Sequence, residues 1–199
     1  NKFDCLIIAK PTSIFSYKDL YLIDQYIMHG GKVLWLVDPL LVSMDSLQTQ
    51  ANTFAISNFT GVDDILFRYG VKLNTNLVTD MQCAKIPIVT GQYQNNTPQM
   101  TYYPWNFFPE ISPNSNHIIS DKISPVKMEF ASSIDTTNSP AKKTVLLSSS
   151  NRTRVLNSPV NVSLQMLKQK QDASLFNSGA KDVAILLEGE FSSAFKNRL

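Results

Sequence analysis

The stretch SYKDLYLIDQYIMHGGKVLWLVDP, Ser16 to Pro39, reads as an amphipathic helix, a glycine stop and a buried strand. Ser16 with Asp19 three positions on has the spacing of a capping box, in which hydroxyl and carboxylate satisfy free N–H groups of the first turn. Leu20, Ile23, Tyr26 and Ile27 recur at helical spacing and make one apolar stripe. Gly30 and Gly31 end the helix, because glycine takes the left-handed cap conformation at no steric cost. Lys32 to Val37 is an almost unbroken apolar run, the pattern of a strand covered on both faces, and Asp38-Pro39 stops it. Asp4 to Ala9, upstream, is a second such run. Strand, capped helix and strand make a βαβ unit. It predicts two adjacent parallel strands at the centre of the sheet, joined by a right-handed crossover.

Outward from this unit the pattern repeats once. Ser43 to Thr53 is polar and reads as a loop with one helical turn. Thr60 with Asp63 has the capping-box spacing again, Val62, Ile65, Leu66 and Tyr69 supply a stripe, and Gly70 closes the helix. Val71 to Leu73 and Asn76 to Thr79 follow as strand. Two helix–glycine–strand units predict an α/β layer architecture, with a mostly parallel central sheet and flanking helices.

From Cys83 the chain becomes β-rich and loop-rich. Ala84 to Thr90 and Gln99 to Tyr103 are strand-like and flank the turn-rich Gly91 to Pro98, which suits a hairpin. Val126 to Ile134 and Lys143 to Ser148 read as strands joined by the loop Asp135 to Pro140. Val160 to Leu167 fits strand or helix, and Val183 to Leu187 is a last buried strand.

Composition narrows the function classes. The 199 residues are 43% apolar and 17% charged, an ordinary globular balance. The net charge of +2 is scattered, without a basic block, which argues against a nucleic-acid partner. Cys5 and Cys83 by themselves make neither a disulfide framework nor a zinc cage. No run of about 18 apolar residues occurs, so no spanning helix is expected. No secretory leader is recognisable. The chain starts at Asn1 without methionine and stops at Leu199. We expect residues 1–199 to be a single α/β domain excised from a longer protein, with any membrane or targeting segment outside this stretch.

Few constellations carry chemistry. A nucleotide site needs glycines in the first strand-to-helix turn, and that turn is Ala9-Lys10-Pro11-Thr12-Ser13. Asp38, where a ribose-binding acid would sit, therefore reads as a strand-terminating residue. His29-Gly30-Gly31-Lys32 has the letters of an esterase oxyanion motif but ends a helix, where such a motif must follow a strand. Cys83 lacks the flanking glycines of a nucleophile elbow, and only His29 and His117 are available as imidazole bases. We expect no catalytic residues, no metal and no cofactor.

The aromatic segment Tyr102-Tyr103-Pro104-Trp105-Asn106-Phe107-Phe108-Pro109 stands out. Its prolines forbid a regular helix and stiffen the backbone. Tyr102, Tyr103, Trp105, Phe107 and Phe108 are the candidate contact residues, for a glycan face or a protein partner. The indole N–H of Trp105 wants a partner, which favours a rim position. The plainer alternative is a satellite hydrophobic cluster under a loop.

Several stretches together resemble the gliding-motility-associated ABC-transporter auxiliary (substrate-binding) proteins of Bacteroidetes. They are Asp4 to Thr12, Ile23 to Trp35, Leu66 to Val71, Tyr103 to Pro109, Phe130 to Asp135 and Val183 to Phe191. The resemblance implies a periplasmic domain of an inner-membrane protein that works with ABC permease and ATPase subunits. It also implies a fold akin to class I glutamine amidotransferases, or flavodoxin-like. Two functions are expected in competition, beside a purely structural scaffold with no ligand. One is a non-enzymatic auxiliary, substrate-binding module that binds protein partners or glycan. The other is an amidotransferase- or hydrolase-like relative with residual activity through Cys83 or a serine.

Overall fold

The computed structural model describes residues 3–50, 52–114, 116–169 and 171–196; Asn1 and Leu199 lie outside the described residues. The elements of the first half are β1 (Cys5–Ala9), α1 (Tyr17–Met28), β2 (Lys32–Leu36), β3 (Leu40–Leu41), α2 (Met44–Thr49), β4 (Asn52–Ser57), α3 (Asp63–Tyr69), β5 (Val71–Leu73) and β6 (Asn76–Asp80). The second half adds β7 (Cys83–Gln92), β8 (Pro98–Pro113), β9 (Val126–Lys127), β10 (Ile134–Thr136), β11 (Lys142–Ser148), β12 (Thr153–Asn157), β13 (Val160–Ser163) and β14 (Asp182–Glu188).

The local signals around α1 behave as expected. The Ser16 hydroxyl accepts the Asp19 N–H at 3.2 Å, and the Asp19 carboxylate accepts the Ser16 N–H and O–H. Gly30 takes φ +81° just past the helix. Gly31 is required for a different reason: a Cβ there would fall 2.3 Å from the Tyr26 ring that lies over it. The second box does not form. Val62, in helical conformation, precedes α3 without a side-chain cap, and the Thr60 hydroxyl is buried with no hydrogen-bond partner. Asp63 and Asp64 occupy the first turn instead, where the positive end of the dipole favours them.

β1 and β2 pair in parallel, Cys5 opposite Lys32 through Ala9 opposite Leu36. The expected mostly parallel sheet with flanking helices, and with it the amidotransferase-like or flavodoxin-like architecture, is nevertheless wrong. The protein is mostly β, with 42% of the described residues in strand and 17% in helix, and β1–β2 is a two-stranded sheet on its own. The other pairings are antiparallel: β14-β11-β8-β7 with β9 on β8, β13-β4-β3, β12-β6 and β10-β5. The second helix–glycine–strand unit delivers β5 to β10, not to the parallel pair.

The faces of β1 and β2 explain the error. Ile8 is buried, and Trp35 and Val37 pack inward against Val62 and Leu66. The opposite face is open: Ile7, Leu34 and Leu36 are 60%, 47% and 48% exposed. A short apolar run looks the same whether one or both faces are covered, so it does not report how many layers flank it. The largest core lies in the β-rich part, where Ala55, Leu77, Trp105, Phe107, Phe130 and Val162 meet.

Elsewhere the outcome is mixed. The hairpin forms as β7 and β8. The region Val126 to Ile134 is strand only at its two ends, as β9 and the start of β10. The polar stretch after Ser43 holds α2 and the first residues of β4, and Val160 to Leu167 divides between β13 and a 3-10 turn, Leu164–Lys168.

Candidate functional site

β7 and β8 form the longest ribbon of the molecule, and the two ends of β8 have different fates. In the register, Ile86 faces Tyr103, Pro87 faces Tyr102, Ile88 faces Thr101 and Val89 faces Met100. Beyond Ile88 the ribbon leaves the body. Val89, Tyr93, Met100 and Tyr102 are 57%, 56%, 50% and 63% exposed, and residues 92–100 are all exposed. The tip is closed locally. Tyr93 N–H donates to Thr97 C=O at 2.9 Å, Asn96 takes φ +61°, and Asn95 Oδ1 accepts the Thr97 hydroxyl at 2.6 Å. Thr90 and Thr101 hydroxyls meet across the strands at 2.9 Å.

The five candidate contact residues therefore separate. Trp105, Phe107 and Phe108 are core, at 2%, 5% and 2% exposure. The rings of Trp105 and Phe107 meet at a tilt of 46° with centroids 4.9 Å apart, and Phe108 meets Phe130 edge-on at 5.2 Å. The rim position expected for Trp105 is not what the structure shows: its indole N–H is buried without a hydrogen-bond partner. Tyr103 is half-buried, and Tyr102 alone of the five is open to solvent. Alternation along a strand accounts for most of this, since residues two apart share a face.

The ribbon has a chemical peculiarity that is visible in its sequence. From Ile86 to Pro109 there is no Asp, Glu, Lys, Arg or His. Exposed edge ribbons are normally guarded by charge, above all lysine. Here the guards are Pro87, Pro98 and Pro104, which offer no N–H to an incoming strand. What remains is tyrosine, threonine and side-chain amides beside the exposed Val89 and Met100, a surface suited to an uncharged partner.

A second feature lies at the carboxyl ends of the parallel pair. A groove of about 330 Å³ is lined by Lys10, Thr12, Asp38, Ser43 and Ser46 over Leu40 and Val42. Lys10 holds φ +46° where a glycine would be at ease, and its ammonium pairs with Asp38 at 3.3 Å. Both groups are more than half exposed, so the pair adds little stability. The buried Asn58 amide donates to the carbonyls of Pro11 and Asp38 and ties the two strand ends together.

Cys83 sits at the root of the ribbon. Burial, then Asp80 and Glu110, push its thiol up to about 11, against a hydrogen bond with the Trp105 backbone that lowers it. The thiolate needed for attack is thus disfavoured at neutral pH. His117 is occupied in its own turn, where Nδ1 accepts the Ile119 N–H at 3.2 Å. His29 ends α1, with its ring nitrogen 2.7 Å from the Gln25 carbonyl. Among the described residues no three His, Cys, Asp or Glu side chains converge as metal ligands.

The model of a family described as an ABC-type uncharacterized transport system, the ABC transport auxiliary family, matches residues 1–199. The chain belongs to that family. Ribbon, groove and parallel pair all fall inside the matched residues. Comparison with curated proteins and with solved structures finds no match to either. None of the described helices is long and apolar enough to cross a membrane.

Proposed function

We propose that this ABC transport auxiliary protein is a non-enzymatic, extracytoplasmic binding component, a periplasmic domain on an inner-membrane protein. Its partners are the permease and ATPase subunits of an ABC-type complex associated with gliding motility. The observation that carries the reading is the charge-free stretch of the ribbon, Ile86 to Pro109, with Val89, Tyr93, Met100 and Tyr102 presented to solvent. Such a surface binds through apolar and hydrogen-bonding contact without long-range charge steering. A protein subunit or a neutral glycan meets that requirement.

A photo-crosslinking residue at Tyr102, in the intact complex, tests this. The expected product is an adduct to a transporter subunit, with none from the same probe at buried Phe107. Absence of any Tyr102 adduct, together with no glycan binding that Tyr102→Ala abolishes, would overturn the reading.

A further inference from the structure

Phe191–Lys196, the segment after β14, lies in a groove between α1 and α3 like a docked peptide. Phe195 is 5% exposed and meets Tyr17 and Tyr21 edge-on, with centroids 4.9 and 5.4 Å away. Four residues earlier, Phe191 meets Tyr69 edge-on at 5.5 Å. Between these two anchors the fully buried Asp24 reads the segment's polar groups. Its carboxylate accepts the Ser193 hydroxyl and the Ala194 N–H, each at 2.7 Å. From the body it accepts the Tyr69 hydroxyl at 2.7 Å and the Gln25 amide at 3.2 Å.

The segment is attached by a short connection that can pivot. Glu188, Gly189 and Glu190 are all exposed, and Gly189 takes φ +105° with nothing within 4 Å of where a Cβ would be. Withdrawal of the segment would strip Asp24 of two of its donors in a buried site, and an underpaired buried carboxylate is costly. The vacated groove would therefore select one chemistry: two aromatic side chains four positions apart, with a hydroxyl and a free N–H between them. The sequence Phe191-Ser192-Ser193-Ala194-Phe195 supplies that pattern.

We propose that this groove is a docking site for the same segment of a second copy, so that two chains exchange Phe191–Lys196 reciprocally about Gly189. Reciprocal exchange restores every contact of the unexchanged chain, which is why swapping an element is a low-cost route to a dimer. The α1–α3 groove is used, and the ribbon stays free, so this assignment stands independently of the transport reading.

Two measurements on the unmodified chain decide it. In native-state hydrogen exchange, the Ala194 amide should exchange at least about tenfold faster than the slowest amides of α1, showing release without global unfolding. In sedimentation, a dimer should accumulate with concentration and revert to monomer on adding excess synthetic peptide GEFSSAFK, residues 189–196. An Ala194 amide as slow as the slowest α1 amides would overturn the proposal. So would a chain that stays monomeric up to about millimolar, or a dimer indifferent to the peptide.

Discussion

Asp24 and Ala194 are 170 residues apart in sequence, yet the Asp24 carboxylate accepts the Ala194 backbone N–H at 2.7 Å. The same carboxylate holds Tyr69 and Ser193, so one buried acid joins α1, α3 and the segment after β14.

Asp24→Ala should accordingly lower stability by about 3 kcal/mol or more, because it leaves two hydroxyls and an amide N–H without their acceptor. Urea unfolding measures this. A loss under about 0.5 kcal/mol, the range of ordinary surface changes, would mean that the network does not bind the three elements together.

Tyr69 gives a pH signature. Burial first, then its hydrogen bond to Asp24 and that carboxylate's charge, raise the phenol above its ordinary value of 10.0. A raised folded-state value means that the folded chain keeps this proton after the unfolded chain has lost it. The contribution is complete below about pH 10 and falls as pH rises beyond it, with a limiting slope of about 1.4 kcal/mol per pH unit. Unfolding of wild type and Tyr69→Phe from pH 8 upward should show the steeper alkaline loss in wild type. Parallel curves would refute it.

The open face of the parallel pair reverses what the apolar run alone suggests for Leu34. With Leu34 47% exposed and Ile8 at 8%, Leu34→Asp should cost about 1 kcal/mol or less, whereas Ile8→Asp should cost several. Thermal melts of the two variants check the order; equal losses would mean that the outer face is covered in solution.

On β8 the contrast falls within four residues. Trp105→Ala should lower stability by about 3–5 kcal/mol. Tyr102→Ala should leave stability within about 0.5 kcal/mol. If the ribbon is the contact surface, Tyr102→Ala should weaken partner binding by about 2 kcal/mol. Paired denaturation and binding measurements on both variants read this out. A large stability loss from Tyr102→Ala would place it in the core.

The two thiols should also separate. Cys5 is exposed, whereas Cys83 is half-buried and its thiol is pushed up to about 11. Iodoacetamide at pH 7.5 should alkylate Cys5 first, with Cys83 following only slowly until the pH is raised. Peptide mapping over time gives the order. Faster modification of Cys83 would revive a nucleophilic role for it.

What the sequence alone determined is local. The Ser16–Asp19 box, the Gly30 stop and the parallel partnership of the flanking strands rest on residues a few positions apart, or on a single crossover. Their outcome hardly depends on the rest of the chain. The aromatic segment was recognisable as special from its composition, and its lack of charge was there to be read. Only the tertiary structure decided which side of each element is covered. Ile7 and Ile8 are equally apolar, and so are Trp105 and Tyr102 as aromatic rings. Yet Ile8 and Trp105 are buried while Ile7 and Tyr102 are open, and for Trp105 the cover comes from β4, β6 and β13, elements remote in sequence that pack on its face of β8. The failed Thr60–Asp63 box has the same origin. Its residues have the spacing, but the packing around Val62 sets a helical backbone there and leaves the Thr60 hydroxyl buried and unused. Spacing states what a residue can do; burial, which is a property of the assembled chain, selects what it does.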